Sequence, residues 1–433
     1  MMDLYSHFCQ QLREKSVERP ILALSGGVDS RVLLHLLAQY HQYYSVPVRA
    51  VHVHHGLSDN ANNWVEQCQR WCDEYNIPLS VEYVTLDTQC GESIEQLARE
   101  ARYAALSKHV KTENTLLLGH HADDQLETFL LALRRGSGPK GLSAMADWAA
   151  FSQGHLLRPL LHVPRQDIEY FALEQQLQWV EDESNQDMRY ERNFLRHQVT
   201  PILNQRWPTI YQAVQRSAEL CAEQEAVIHE LLADLLASAT SKAGGLSIAQ
   251  IQLCSDVVRR QVIRQWLAGR GVTMPSRLHT DMIWQQVALA EASANPKFQL
   301  REYQIRRFDG ELFCVTLMSD LSAWQQSIQL NRPLILPDKL GHLTLSECSL
   351  GHIALPDEPD ALSVSFNPEG LSACPVGRAG SRKLKKLFQE YRIPSWQRRR
   401  LPILMYKGRV VAIASLFVDR DFAGQDYELI WTQ

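Results

Sequence analysis

The sequence predicts an α/β protein that begins with a parallel-sheet domain, continues with a mostly helical middle domain and ends with a small α+β C-terminal domain. Over residues 21–134, short apolar runs alternate with amphipathic helical patterns. Strands that alternate with crossover helices form a parallel sheet covered on both faces. Of the 433 residues, 45% are hydrophobic and 21% are charged, which is typical of a globular protein with buried cores.

The first strand is the apolar run 21–24, which leads into a serine and two glycines. Further strands of the sheet are predicted at 48–53, 79–84 and 115–118. Helical patterns lie at 64–75, 93–110 and 123–134, and again over 164–203. Because ligands bind beyond the carboxyl ends of parallel strands, we expect the loops 25–30 and 119–124 to border one active-site crevice.

A long amphipathic helix over 209–237 opens the middle domain, and a hairpin over 298–315, with a turn at Asp309 and Gly310, follows later in it. The proline-containing stretch 331–359 is predicted to be rich in strands and turns and to link this domain to the last one. The last domain is predicted to contain a basic helix and two short strands, over 382–392, 403–406 and 410–416. The predicted domains are therefore 1–208, 209–330 and 331–433.

Composition excludes several classes of protein. No apolar stretch approaches the ~20 residues that a membrane-spanning helix needs, and the N-terminus has no secretory signal pattern. Nine cysteines are scattered without a CxxC pair, which disfavours a zinc ribbon or a dithiol redox site. We therefore expect a cytoplasmic protein with no membrane contact and no obligate protein partner.

The charge distribution is uneven. The chain has a net charge of −5, but residues 374–410 contain eleven lysines and arginines and a single acid, Glu390. Such a concentration is typical of a surface that binds a phosphate-rich partner. The alternative is a solvated basic helix face.

The sequence SGGVDS at 25–30 combines a strand end with a helix start. Two glycines allow close approach of an anion, and the first amides of the helix point toward it. Asp29 would repel a phosphate unless a divalent cation lies between them, so we expect Mg²⁺ there, bound through the phosphates. An ordinary glycine turn capped by serine is the alternative interpretation.

The second loop carries His120, Asp123 and Asp124, and Glu127 follows on its helix. Three neighbouring acids could bind an ammonium group, and one of them or the histidine could accept a proton. For Asp123, simple N-capping of the helix is the alternative, because acids are favoured at that end anyway.

The SGGxDS loop resembles the PP-loop of N-type ATP pyrophosphatases, which split ATP into AMP and pyrophosphate. Five further segments resemble tRNA(Ile)-lysidine synthetases. They are the VHVHHGL segment at 51–57, the ARxxRY helix at 98–103, the GHxxDDxxET block at 119–128, the glycine-rich loop at 134–145 and the RNxxR motif at 192–196. Five motifs occur in the family's order over residues 21–200. The middle and C-terminal regions resemble those of the longer bacterial members more weakly.

The resemblance implies a two-step reaction on the isoleucine tRNA with anticodon CAU. ATP adenylates the C2 oxygen of the wobble cytidine, and the ε-amine of free L-lysine displaces AMP to give lysidine. It implies that ATP is bound by Ser25, Gly26, Gly27, Val28, Asp29 and Ser30. The implied catalytic residues are Asp29, Arg99, Arg102, His120, Asp123, Asp124, Glu127 and Arg196. The implied tRNA-binding residues are Arg134, Arg135, Asn193, Arg382, Lys383, Lys385, Lys386 and Arg398.

Other functions remain as alternatives at this stage. A tRNA 2-thiolation enzyme of the same superfamily needs sulfur-carrying cysteines, commonly a CxxC pair, which this sequence lacks. A glutamine-dependent ATP pyrophosphatase needs an ammonia source, and a non-catalytic RNA-binding protein would not need the intact loops. Without the family match, Arg99 and Arg102 could be surface arginines bridged to Glu95 or Glu100. Trp396, close to three consecutive arginines, is a candidate for stacking on an unpaired base.

Overall fold

The computed structural model describes residues 3–58, 60–86, 94–291, 294–355 and 361–432. The predicted helix start at Ser93 and the end of the stretch 331–359 lie outside these residues. The chain divides into two compact units, residues 1–230 and 231–433. No helix in the described ranges combines the length and apolar character needed to cross a membrane.

The first unit is built on a six-stranded sheet in the order β3-β2-β1-β4-β6-β5. Its strands are β1 (Arg19–Ala23), β2 (Arg49–His54), β3 (Leu79–Tyr83), β4 (Asn114–Leu117), β5 (Trp148–Phe151) and β6 (Gly154–Leu157). All neighbours are parallel except β5, which pairs antiparallel with β6. The predicted α/β class and parallel sheet are confirmed, and the edge hairpin β5–β6 is an addition to them.

Helices cover the sheet of the first unit. They are α1 (Leu4–Glu14), α2 (Val28–Tyr44), α3 (Ala61–Glu74), α4 (Ile94–Ser107), α5 (Ala122–Arg134), α6 (Pro139–Leu142), α7 (Arg165–Glu174), α8 (Glu191–Phe194) and α9 (Thr200–Arg206). In α2, the leucines at 33, 36 and 37 repeat at helical spacing and are fully buried in the core. The carboxyl ends of β1 and β4, which are adjacent strands, therefore open on the same edge of a well-packed sheet.

The helix predicted over 164–203 is interrupted. Helix α7 stops because Gln176 adopts a left-handed backbone conformation with φ 53°, and the amide of Leu177 returns to the carbonyl of Ala172 at 2.8 Å. After irregular chain, α8 continues through a π-helical turn, Leu195–Val199, into α9. Single π-helical turns are rare and occur frequently at functional sites.

Helix α10 (Ile210–Ala239) begins in the first unit and ends in the second. The second unit continues with α11 (Ile248–Gln252), α12 (Asp256–Ala268), α13 (Arg277–Met282) and a π-helical turn, Ile283–Ala288. These helices pack on the sheet β7 (Leu246–Ser247), β10 (Glu311–Thr316), β9 (Tyr303–Phe308) and β8 (Lys297–Leu300), written in spatial order. The predicted hairpin is present, and Asp309 and Gly310 both have the positive φ of a tight hairpin turn.

The remaining strands build the C-terminal part of the second unit. They form the sheets β11-β14-β17-β18-β19, β12-β13-β20 and β15-β16. Their bounds are β11 (Gln325–Ser327), β12 (Leu334–Ile335), β13 (His342–Glu347), β14 (Leu362–Ser365), β15 (Ser372–Ala373), β16 (Arg382–Lys383), β17 (Ile403–Tyr406), β18 (Arg409–Ile413), β19 (Phe417–Val418) and β20 (Tyr427–Thr432).

The stretch predicted to be rich in strands and turns contains β12 and β13. Leu343 and Leu345 of β13 are fully buried, and β13 pairs with β20. One expectation for this region is wrong in detail. The basic helix α14 is shorter than predicted and spans Leu384–Glu390, because residues 382 and 383 pair as β16 with β15. The buried Leu384, Leu387 and Phe388 supply the apolar face of this helix.

Candidate active site

The loop after β1 is organised around the hydroxyl of Ser30. This oxygen accepts hydrogen bonds from the amides of Ser25 and Gly26 at 3.2 and 3.1 Å, and it donates to the carbonyl of Gly27 at 3.0 Å. Gly26 has φ +96°, a conformation that other residues rarely adopt. The loop therefore has a defined shape that depends on its serine and glycine residues.

The loop ends at the start of α2, where Gly27 is the N-cap and makes no side-chain capping bond. The first amides of a helix lack partners within the helix and favour an anion by their charge and direction. Residues Val28, Asp29 and Ser30 form this first turn. The arrangement fits the phosphate site expected from the sequence.

The loop after β4 packs directly on this phosphate loop. A side chain at Gly119 would lie 3.2 Å from the amide nitrogen of Ser30 and 3.3 Å from the backbone of Asp29. Glycine therefore suits the close approach of two backbones here. The two predicted loops form one site.

Asp29 is half-buried, and its oxygen Oδ1 is buried without a hydrogen-bond partner within the described chain. Burial raises the pKa of its carboxyl group. Mg²⁺ typically binds one or two carboxylates together with substrate phosphates, so an orphaned carboxylate oxygen beside a phosphate loop fits that ion. No group of three metal-binding side chains occurs in the described ranges.

His121 was not among the predicted catalytic residues, yet it lies at the centre of the acids. Its Nε2 is 3.8 Å from Asp29 and 3.4 Å from Asp124, and its Nδ1 is 3.7 Å from Asp123. It is also the N-cap of α5, where it forms a capping box with Asp124. The sequence signal was its place two positions before the first of the two aspartates.

Two acids of α5 form a buried ion-pair cluster with arginines from the segment 191–199. Glu127 is fully buried and accepts hydrogen bonds of 2.8 Å from Arg192 and from Arg196. Asp124 accepts from Arg196 at 2.9 Å. Burial alone would raise the pKa of Asp124, but His121 and Arg192 outweigh it and hold this pKa below its ordinary range. Arg192 is the first residue of the RNxxR motif, one turn before Arg196, and was not among the predicted catalytic residues.

The third acid, Asp123, is tied to two other elements. It accepts a hydrogen bond of 2.9 Å from the amide of Arg165 and one of 2.5 Å from the hydroxyl of Tyr211, in the first turn of α10. Asn204 donates to the same hydroxyl. The three acids thus lie close together, as expected, but all of them have partners within the protein.

His120 lies beside Arg158, which follows strand β6. The Nε of Arg158 is 3.2 Å from Nδ1 of His120, and its Nη1 donates to the carbonyl of Ala146 at 2.6 Å. Burial, together with nearby arginines, lowers the pKa of His120 to about 3. The sequence could not select Arg158, because it lies in no glycine-rich or acidic motif.

The predicted arginine pair on α4 differs in environment. Arg99 is exposed and Arg102 is half-buried, and both guanidinium groups lie over the ring of Tyr103, at 4.9 and 5.7 Å from its centroid. Nearby, His55 at the end of β2 has a buried Nδ1 without a partner among the described residues. Burial and then Arg102 lower the pKa of His55 to about 4.

The predicted tRNA-binding residues of the first unit occupy two environments. Arg134 and Arg135 are exposed at the end of α5, and Arg134 pairs with Glu191 at 2.9 Å. Asn193 is buried, and its side chain donates to the carbonyl of Asp187 at 2.9 Å. Their contact with RNA stays a prediction.

Much of the basic charge in the second unit is neutralised internally. Arg378 and Arg382 pair with Glu390. Five acids from outside the basic segment, residues 374–410, pair with Arg392, Arg399, Arg400 and Arg409. Arg398 donates to the carbonyl of Ile393 at 2.9 Å. In contrast, Lys383, Lys385 and Lys386 are exposed and form no ion pair within the described chain. We call these three residues the lysine patch.

Trp396 does not present a free ring for base stacking. Its ring packs against Phe308 and Phe313 of the β9–β10 hairpin, with centroids 6.1 and 5.4 Å away. Next to it, the Ser395 hydroxyl lies 2.7 Å from the side-chain oxygen of Asn295. The aromatic side chain that the sequence suggested for RNA thus joins two parts of the second unit.

Comparison with known proteins gives three family matches along the chain. Residues 3–203 match the PP-loop domain, residues 246–313 match the TilS substrate binding domain and residues 362–431 match the TilS substrate C-terminal domain. The order of the three matches is that expected from the sequence resemblance.

Curated relatives match over the whole chain. The tRNA(Ile)-lysidine synthase of Vibrio cholerae (strain ATCC 39541) is 60% identical over 431 residues, which cover 100% of this chain and 98% of that protein. Those of Vibrio vulnificus (strain YJ016) and Photobacterium profundum are 57% and 51% identical, covering 99% and 95% of both chains in each comparison. The resemblance indicated by the five motifs is confirmed. The chain belongs to the tRNA(Ile)-lysidine synthase family.

Proposed function

We propose that this protein ligates free L-lysine to C2 of the wobble cytidine in the isoleucine tRNA with anticodon CAU. In the first step the C2 oxygen attacks the α-phosphorus of ATP, and the bond to the β-phosphate breaks to release pyrophosphate. In the second step the lysine ε-amine forms a bond to C2, the C2–O bond breaks and AMP leaves. The products are lysidine, AMP and pyrophosphate.

The observation that carries the proposal is the close packing of Gly119 on the phosphate loop. It joins the anion-binding start of α2 to the buried acid and arginine cluster behind the second loop. Phosphoryl transfer needs positioned donors and cations around the phosphates, and ligation needs a second substrate nearby. The full-length similarity to tRNA(Ile)-lysidine synthases supports the same reaction.

Asp29 is the residue that we propose to hold Mg²⁺ together with the phosphates of ATP. The ion would neutralise the charge that develops on the leaving pyrophosphate. The unpartnered Oδ1 of Asp29 supports this assignment. The amides of the α2 first turn would then bind the same phosphates from the other side.

For the lysine ammonium group, we propose Asp123 and Asp124 over Glu127. The side chains of the two aspartates are 17% and 11% exposed, whereas that of Glu127 is 0% exposed and already binds two arginines. A substrate cation gains most binding free energy where a carboxylate is accessible and where the cation can displace the present partners of that carboxylate. Glu127 would instead hold Arg192 and Arg196 toward the nucleotide.

The tRNA would also contact the second unit, and the lysine patch is the best candidate for backbone contacts. Its three ammonium groups are exposed and free of ion pairs among the described residues. Phosphate contacts of this kind position a nucleic acid without reading its sequence.

The test is release of AMP and pyrophosphate with a tRNA transcript, ATP and lysine. We expect AMP formation to require the CAU transcript. We expect the modified tRNA to form with lysine and not when ornithine replaces lysine. A transcript with one changed anticodon base is the matched control. AMP formation that leads to a thiolated base only with a sulfur donor would favour the 2-thiolation alternative, and binding without AMP would favour the non-catalytic one.

A further inference from the structure

The contact between Arg158 and His120 constrains the chemistry of this histidine. A guanidinium group has only donors, so Nδ1 of His120 must accept the hydrogen bond from Arg158 Nε at 3.2 Å. An imidazole whose Nδ1 accepts carries its proton on Nε2 and is neutral. Arg158 is itself fixed, because it is 9% exposed and donates to the carbonyl of Ala146.

The surroundings of His120 disfavour its protonation. Arg158, Arg192 and Arg102 face it from three different segments, and Asp124 on α5 is the acid that opposes them. Burial is the largest cause of the low pKa of His120, about 3, and the three arginines act in the same direction. At neutral pH the ring is therefore neutral and offers a single N–H.

The residue that carries this N–H borders the nucleotide site in the chain. His120 directly follows Gly119, where an added Cβ would lie 3.2 Å from the amide nitrogen of Ser30. No residue in the described part of the chain forms a hydrogen bond with Nε2 of His120. A donor in this place suits an anionic acceptor such as a phosphoryl oxygen.

We propose that Arg158 is a positioning residue that fixes His120 in its Nε2–H form. In this form His120 donates a hydrogen bond to a phosphoryl oxygen of the bound nucleotide and does not accept the proton of the lysine amine. The inference rests on the proposed ligation reaction. When the amine attacks C2 and AMP departs with the electron pair of the C2–O bond, the amine proton must pass to a carboxylate or to water.

Three substitutions of His120 separate a donor from a base. His120→Gln places an amide N–H near the position of Nε2, whereas His120→Asn places its amide near Nδ1 and His120→Ala removes both. We expect kcat of the glutamine variant within about tenfold of the wild type. The alanine and asparagine variants should lose about 10²–10³-fold, which is the typical cost of one lost donor to transition-state charge. Equal inactivity of all three variants would overturn the proposal.

A second measurement needs no tRNA and no turnover. Nitrogen-15 NMR of protein labelled at histidine, with the His120 signal identified by its loss in His120→Gln, reports which ring nitrogen bears the proton. We expect protonated Nε2 and unprotonated Nδ1 throughout pH 6–8 (roughly one unit on either side of neutrality). An imidazolium, or the opposite tautomer, in the wild type would overturn the proposal even if lysidine forms normally.

Variants of Arg158 complete the test. Arg158→Met should let His120 titrate closer to the ordinary histidine pKa of about 6.5 and should add an acid limb to the pH profile of kcat. Arg158→Lys, which keeps a donor and a charge, should restore part of kcat with little change in KM for ATP. If lysidine synthesis is absent in the wild type, the proposed function fails, while the NMR result still decides the tautomer.

Discussion

At the scale of single residues, Asp29 combines a place in the phosphate loop with a buried oxygen that has no hydrogen-bond partner among the described residues. We predict that Asp29→Ala or Asp29→Asn lowers AMP formation at least about 10²-fold, because charge on the leaving pyrophosphate loses its metal-bound counterpart. The thermal unfolding temperature and the tRNA affinity should change little. Wild-type AMP formation by either variant would exclude Asp29 from the metal site.

The lysine site gives a second prediction for single residues. Of the substitutions Asp123→Asn, Asp124→Asn and Glu127→Gln, at least one aspartate change should raise the KM for lysine more than the KM for ATP. Because the carboxylate of Glu127 is fully buried, we expect Glu127→Gln to lower the stability of the fold rather than to change the KM for lysine. Steady-state kinetics with each substrate varied in turn is the measurement, and a normal lysine KM in all three variants would move the pocket elsewhere.

Residue types and spacing were sufficient to single out Asp29, Asp124 and Glu127 from the sequence, and their roles in the reaction stay predictions. They could not show that Glu127 is neutralised by Arg192, which is 65 positions away along the chain. That pairing depends on how the segment 191–199 packs on α5. His121 and Arg158 were missed for the same reason, since their importance comes from neighbours in space.

At the scale of elements, α5 is joined to α8 and to the π-helical turn 195–199 by the buried pairs of Glu127 with Arg192 and Arg196. Glu127→Gln removes one of the two carboxylates that Arg192 and Arg196 share. Breaking buried pairs in this way costs about 3–5 kcal/mol. At roughly 2–4 °C per kcal/mol for a unit of this size, we expect the unfolding temperature of the first unit to fall by at least about 6 °C.

The matched control for this prediction is Glu191→Gln. Glu191 pairs with Arg134 at 2.9 Å, but the two side chains are 54% and 60% exposed, so the loss should stay below about 1 kcal/mol. Because the pKa of Asp124 in the same cluster is depressed, its contribution to stability is present above the ordinary carboxyl pKa of about 4 and is lost as the pH falls. Equal shifts for both variants in scanning calorimetry would contradict the argument.

The boundaries of elements were harder to predict from sequence patterns than the elements themselves. The alternation of strands and helices up to α5 was predictable because each element has a clear apolar period. The basic run 382–392 was assigned to one helix, but the backbone pairing of β16 with β15 removes its first two residues from α14. Strand pairing between distant segments leaves no local periodic signal.

At the scale of the whole molecule, the lysine patch predicts how the chain binds tRNA. Each phosphate contact contributes about 0.9 to the slope of log affinity against log salt concentration. Replacing Lys383, Lys385 and Lys386 by alanine should weaken tRNA binding and flatten this slope by about two to three units. Turnover at saturating tRNA should fall much less than affinity. The measurement is a binding titration repeated across salt concentrations.

A control variant with the same change of charge separates site binding from a general charge effect. Lys242, Lys297 and Lys339 are also exposed and lie in the same unit. Their joint replacement by alanine should leave the slope nearly unchanged. An equal loss in both triple variants would mean that the lysine patch is an ordinary solvated surface.

The order of the three regions along the chain was predictable, because composition and motifs change along it. The net charge of the basic segment was less informative than it first appeared, since acids from distant strands and loops pair with most of its arginines. Only the folded chain separates the paired arginines from the free lysines.

The hydroxyl of Ser30 has a thermodynamic consequence for nucleotide binding. By holding the amides of Ser25 and Gly26 and the carbonyl of Gly27, it gives the phosphate loop its shape during folding. The loop therefore loses its conformational entropy during folding, before ATP binds. Less of the binding free energy of ATP is then needed to order the loop. A single oxygen, which need not touch the ligand, thereby sets how tightly a preorganised loop can hold a triphosphate.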